Sequence, residues 1–387
     1  MWQCYSIMLK NYIRNHWDEG SKDYEQPVIN DSEKAQIRNK LLPLLADNTP
    51  KIRTAAAMIV AKIGHYDFPE KWPELLQLLV QFVNNDNANL VQGALRSLEL
   101  FAEDITDEQL AHAIPSLFPA LLRILTSGGD KFPTAARIRT ITIYRTCLNT
   151  LITLSDDDNF EQVAKQLLAP TFPQWLQTLH TVLFSPINFE AAETNQGFGL
   201  QLAALSTMFG LTENYPKQIN KILPDFTKAL WQLLSNAYPY FAKHYIIGDD
   251  DHEEDYDSEG GDVGIDAFLS EILEYFSMLL DRNKMKLLQP FLPQLFYTLL
   301  GYAQITSSLE DSWTSDPNEY VIFEDDTMQS VCVRLSSIYL FARLFEYVDN
   351  SGFVVAIISF VKIITHHSSS KYSCFIQLPP RWILFFL

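Results

Sequence analysis

The sequence predicts an all-α solenoid of stacked helical hairpins. Apolar residues recur at helical spacing in one segment after another, first Ile37, Leu41, Leu44 and Leu45, then Ile52, Ala56, Ile59 and Ile63. These segments come in pairs that repeat about every 40 residues, the period of two-helix repeat units. Strand-type alternation is sustained nowhere. Neither helix of a pair can bury its stripe alone, so the pairs must stack, giving about six hairpins over residues 1–347.

Taken in order, residues 2 to 17 form the first helix, with Tyr5, Met8, Leu9, Tyr12, Ile13 and Trp17 largely on one side. No partner helix precedes it, which predicts an exposed apolar edge. Gly20 to Ser32 is a polar loop. In the next hairpin Asp47-Asn48-Thr49-Pro50 breaks the pattern and Pro50 opens the second helix. The run Ala55-Ala56-Ala57 permits close approach of a neighbour. After a turn at His65–Pro73, pairs follow at 74–84 with 89–103, 107–126 with 134–154, and 159–184 with 190–212. The loop Ser127-Gly128-Gly129-Asp130 and the Ser185-Pro186 step separate the members of the later two pairs. A fifth pair starts near Lys217 and continues at 262–281, and a sixth spans 284–308 and 326–347. Pro43, Pro115, Pro173, Pro224 and Pro293 recur in first helices, where a proline is expected to kink the helix. Gly197-Phe198-Gly199 marks close packing, and Trp72, Trp175, Trp231 and Trp313 are expected in the core.

Residues 348–387 depart from the pattern and form a divergent tail. Their apolar pieces are interrupted by Lys362, Pro379, Pro380 and Arg381, and no run in the chain reaches the length of a membrane span. The tail reads as read-through or an early stop, with a membrane anchor as the rival reading, and the unpartnered first helix as a truncated gene model or splice form, so both ends are expected to be shortened.

The 387 residues carry a formal net charge of -18. That argues against direct binding of nucleic acid through a broad basic face. It favours basic partners, although the same charge would also serve solubility alone. Cys4, Cys147, Cys332 and Cys374 form no CxxC, so neither a zinc site nor a disulfide framework is indicated, and a reducing compartment fits. No phosphate-binding loop, GxGxxG, GxSxG or HExxH is present, and the histidines are scattered. The chain therefore reads as a non-enzyme, with no catalytic, cofactor or metal residue assigned.

The sharpest local signal is an acidic loop at 248–262, carrying Asp249, Asp250, Asp251, Glu253, Glu254, Asp255, Asp257 and Glu259. No Lys or Arg occurs between Lys243 and Arg282. Packed carboxylates repel, so the free segment is expected to be disordered. It serves either as an anionic arm that speeds encounter with Lys- and Arg-rich partners or as a solvated loop. A second acidic segment, with Glu310, Asp311, Asp316, Glu319 and Glu324-Asp325-Asp326, reads as an ordered loop around Trp313 and Pro317. Part of it also suits the N-terminus of a helix beginning near Thr327.

Leu42-Pro43, Asp47, Ile52-Arg53 and the alanine pair resemble the HEAT-repeat consensus. The longer series is more specific: Tyr12 to Trp17, Glu33-Lys34, Ile37-Arg38, Lys51-Ile52-Arg53 and Asp67-Phe68-Pro69-Glu70-Lys71-Trp72-Pro73-Glu74-Leu75. It resembles the importin-β (karyopherin) family of nuclear transport receptors, as does the block Trp313, Asp316 to Val321 and Glu324 to Asp326. The resemblance covers roughly residues 1 to 345. It implies a right-handed, armadillo-like superhelical HEAT solenoid whose second helices line a concave wall. It also implies cargo binding without catalysis, with the GTP-bound small GTPase Ran on the first few second helices driving cargo release. Basic cargo such as core histones, Phe-Gly nucleoporins in grooves between outer helices, and shuttling between cytoplasm and nucleus belong to the same implication. Carried onto residues opposite the apolar stripes, the Ran-facing set is Lys10, Asn11 and Arg14, then Thr54, Met58 and Lys62, then Gln92, Arg96 and Glu99. The alternatives are a HEAT scaffold of another assembly and a non-functional truncated product.

Overall fold

The structure, a computed structural model, describes residues 2–127, 131–153, 158–187, 189, 198–248, 264–318, 321 and 332–347. Every regular element among them is helical. The chain divides into two compact units, Met1–Thr181 and Val182–Leu387. The acidic loop residues Asp249 to Glu259, the acidic residues Glu319 and Glu324 to Asp326, and the 348–387 tail lie outside the described residues.

The first unit opens with α1 (Trp2–His16), α2 (Asp31–Leu41) and α3 (Pro50–Asp67). The Asn30 side chain accepts from the Glu33 amide and the Glu33 side chain reaches back, a capping box that starts α2. At Pro43 the regular turn is lost, because proline supplies no amide, and Leu42–Ala46 tightens into a 3₁₀ segment. Then follow α4 (Leu75–Val83), α5 (Ala88–Glu103), α6 (Asp107–Thr126), α7 (Thr134–Thr153), α8 (Asp158–Leu168) and α9 (Phe172–Leu183). The second helices form a row: α1 packs on α3, α3 on α5 and α5 on α7. Leu45, Ala57, Val60, Ile63, Ala94 and Leu95 are fully buried between them and their first helices. At Gly93 the approach is closest, since a Cβ there would stand 2.2 Å from the Leu45 carbonyl oxygen. Further along, Tyr144 stacks on Trp175 with centroids 3.8 Å apart.

The second unit contains α10 (Gly199–Asn214), α11 (Leu223–Phe241), α12 (Ile265–Asp281), α13 (Leu292–Tyr302), α14 (Ser307–Ser315) and α15 (Val333–Tyr347). Here α10, α12 and α15 form the row of second helices, with α11 and α13 beside them. Aromatic rings fill its core: Phe198 stacks on Phe268 at 5.4 Å, and Phe296 meets Phe341 and Phe345. The Tyr302 hydroxyl donates to the Leu234 carbonyl at 2.8 Å.

Several local expectations differ. The single helix over 159–184 is two, because Ala169-Pro170-Thr171 interrupts it. Residues 307–315, expected as the end of one helix and an ordered loop, form α14, capped by the Thr306 side chain on the Leu309 amide. Of the five recurrent prolines, only Pro115 lies within a helix interior, where Pro119 joins it. Pro224 and Pro293 sit at helix starts, where no amide partner is needed. Pro173 likewise falls in the first turn of α9, and Pro43 in the 3₁₀ segment. Trp72 and Trp175 are in the core and Trp231 stacks on Phe291, but Trp313 is exposed on α14.

Candidate functional site

The nine residues expected to face a partner lie on α1, α3 and α5 of the first unit. Asn11, Arg14 and Thr54 are exposed, whereas Lys10, Met58, Lys62, Gln92 and Arg96 are half-buried. Arg14 reaches Asp23 at 3.5 Å. Lys62 stands 4.0 Å from Asp104 and over the Tyr66 ring. The α5 residues do more than face outward. Glu99 is buried, and its Oε2 accepts from Arg96 Nη1 at 2.8 Å and from Arg139 Nε, on α7, at 2.6 Å. Gln92 accepts from Arg53 Nη2 at 3.0 Å, and Arg53 also donates to the Asp47 carbonyl at 2.8 Å. Polar rungs therefore tie α3 to α5 and α5 to α7. Sequence reasoning missed Arg53 and Arg139 as members of this set. The signal available was their spacing, 39 residues from Arg53 to Gln92 and 40 from Glu99 to Arg139, one repeat in each case.

The residues of the longer motif converge at the start of the first unit. Trp17 is buried at the end of α1, and its indole N–H donates to Asp67 Oδ2 at 2.8 Å. Arg38 on α2 bonds the same oxygen through Nη2 and the Lys71 carbonyl through Nη1 at 3.0 Å. The Arg38 guanidinium carbon lies 5.7 Å from the Trp17 ring and 5.3 Å from that of Trp72, within cation–π range of both. Lys34 is 5.6 Å from Trp17. Gln109 extends the fastening to α6, donating to the Phe68 carbonyl at 2.6 Å and the His65 carbonyl at 3.1 Å.

In the second unit the row is anionic. Ser206 on α10 donates to Glu271 on α12 at 2.8 Å. Burial, with Glu271 adding repulsion, pushes the Glu274 carboxyl above its ordinary range. Asp281 is held below its ordinary range by the hydrogen bond from Arg343, at 2.6 Å. Asp266 accepts from the Val333 amide at 3.1 Å, where its charge suits the start of α15. Among the described residues no cluster of His, Cys, Asp or Glu is arranged to hold a metal ion. Nor is any helix among them long and apolar enough to cross a membrane.

Rows of second helices fastened to one another, with polar side chains along them, define a HEAT-repeat solenoid. Comparison with known proteins agrees and goes further. The model of the importin-beta N-terminal domain matches residues 6–47, and that described as IPO5-like, TPR repeats matches residues 48–229. The chain belongs to the importin-β (karyopherin) family. Importin-9 of Drosophila melanogaster is 24% identical over 340 residues, 85% of this chain and 32% of that protein. Importin subunit beta-5 of Schizosaccharomyces pombe is 23% identical over 354 residues, 86% of this chain and 35% of that protein. Human exportin-2 is 22% identical over 259 residues, 60% of this chain and 25% of that protein. The exportin Cse1 in its cargo-free, cytoplasmic state shares the fold, with a TM-score of 0.57 at 15% identity over 95% of this chain and 39% of that one. The chain thus spans about a third or less of each relative's length.

Proposed function

We propose that the chain acts as a nuclear import receptor segment: it binds Ran-GTP through the second helices of its first unit and basic protein cargo such as core histones through its anionic regions. The work is binding, not catalysis, and the protein moves between cytoplasm and nucleus, meeting Phe-Gly nucleoporins on the way. The observation that carries this is the continuous row α1, α3, α5 and α7, which puts Lys10, Asn11, Arg14, Thr54, Met58 and Lys62 on adjacent helices. Membership of a family of importins and exportins supports the transport role. The acidic stretch Asp249 to Glu259 and the carboxylates of α12 support basic cargo.

The test is a pull-down with Ran loaded with GTP or GDP, with a histone dimer as competitor, at two salt concentrations. Ran-GTP is expected to bind and Ran-GDP not. Histone binding is expected to weaken strongly at the higher salt, since exposed charges are screened. Equal binding of both Ran forms would reject the Ran-GTP half. Salt-independent histone binding, or binding that survives replacement of Asp249 to Asp257 by Ser and Asn, would reject the acidic loop. The likeness to exportin-2 favours a second reading, an export receptor. The sign of coupling separates the two: Ran-GTP lowers cargo affinity in the first and raises it in the second, and linkage requires cargo to change Ran-GTP affinity by the same factor.

A further inference from the structure

The Trp17–Asp67–Arg38–Trp72 cluster does more than fill space. Asp67 is the last residue of α3, where the helix carbonyls already carry partial negative charge. It is 1% exposed there. A buried carboxylate at a helix C-terminus is destabilising unless a cation and donors meet it. Arg38 and the Trp17 indole both meet it, on one oxygen. Apolar residues would pack this junction at no electrostatic cost, so what the ionic pair adds is direction. It prefers one placement of Trp17, and Trp17 lies immediately beyond α1. Helix α1 needs such a fix, because it packs on α3 while Met8 and Tyr12 remain 65% and 47% exposed.

We propose that Asp67 and Arg38 are positioning residues: by fixing Trp17 they set the seat of α1 against α3, and through it the presentation of Lys10, Asn11 and Arg14 to a partner. The binding part of this rests on the Ran-GTP reading above; the seating of α1 does not. Asp67→Asn leaves the guanidinium without its counter-charge, and Arg38→Met leaves the carboxylate without its cation. The pair Arg38→Met with Asp67→Leu removes both charges.

The experiment measures amide hydrogen exchange and Ran-GTP affinity on the full chain. Each single variant is expected to speed exchange in α1 by about tenfold or more, to leave α12 unchanged, and to weaken Ran-GTP about tenfold. The double variant is expected to recover stability in denaturation relative to either single, because no charge is left buried alone. It is expected to keep the fast α1 exchange, because the Trp17 indole has lost its acceptor. Exchange in α1 restored to the wild-type rate in the double variant overturns the proposal. Arg38→Lys keeps the charge but loses the flat stacked face and the second donor, and should loosen α1 to an intermediate degree. Lys10→Ala should weaken Ran-GTP without altering α1 exchange. Unchanged α1 exchange in both single variants overturns the proposal. So does an equal rise in α1 and α12, which would make the pair a general stabiliser. If the wild-type chain binds no Ran-GTP, the functional reading falls while α1 exchange still tests the seating.

Discussion

The two units build the same kind of helix row with opposite chemistry. In the first, the second helices α1, α3, α5 and α7 carry Lys10, Arg14, Lys51, Arg53, Lys62, Arg96, Arg137, Arg139 and Arg145 against only Asp67, Glu99 and Glu103. In the second, α10, α12 and α15 carry Glu213, Asp266, Glu271, Glu274, Asp281 and Glu346 against Arg334 and Arg343. Both tie neighbouring second helices with directional polar links, Arg53 to Gln92 and Arg139 to Glu99 in the first, Ser206 to Glu271 and Arg343 to Asp281 in the second. Both also pack rings, Tyr144 stacked on Trp175 in the first, Phe198 stacked on Phe268 and Phe296 edge-on to Phe341 in the second. The chain's net charge of -18 therefore hides a locally cationic row. One architecture can present two faces because the apolar stripe specifies the stack and leaves the opposite side of each helix free to vary.

The comparison breaks most sharply at a ring. Phe268→Ala removes a fully buried side chain of the second unit and should cost about 3–5 kcal/mol. Exchange should accelerate in α12 and stay unchanged in α5. Next come two glycines given the same substitution. Gly93→Ala drives a methyl into the Leu45 backbone and should destabilise the first unit by roughly 3 kcal/mol in chemical denaturation. Gly210→Ala, in α10, meets nothing within 4 Å and should stabilise by about 0.5–1 kcal/mol. Glu99→Gln should cost about 2 kcal/mol, because two guanidiniums lose their shared carboxylate, and α5 and α7 should lose protection together.

The smallest effect concerns pH. The Glu274 carboxyl is raised in the folded chain, so its protonated form is the one folding favours. Its contribution is fully present below the unfolded carboxylate pKa and is lost as pH rises through the raised folded value. Asp281 has the opposite sign: its contribution holds at neutral pH and is lost as pH falls through its lowered value. Mild acidification from neutrality should therefore stabilise the second unit slightly before Asp281 titrates. Glu274→Gln should flatten that rise in a comparison of denaturation midpoints.

The paired stripes were legible because they are local: Ile59 and Ile63, or Phe268, Ile272 and Phe276, lie one turn apart and all are buried. The break at Pro170 and the helix 307–315 were not read. The first lies inside an otherwise continuous apolar pattern, and the second is a polar segment of nine residues with little periodicity to show. At the candidate site, Trp17, Arg38, Asp67 and Trp72 stood out as a signature but not as a contact, since Trp17 and Asp67 are 50 residues apart. Glu99 faces a partner by the rule that places it opposite the apolar stripe of α5. That rule counts turns on one helix and is blind to the neighbour, where Arg139 waits at bonding distance.

The Glu99 rung has a mechanical consequence. Apolar contact between α5 and α7 resists separation but opposes sliding only weakly, since it is non-directional. Arg96 holds the Glu99 carboxylate from its own helix and Arg139 grips it from α7, so this directional bond opposes the sliding that apolar contact alone would permit.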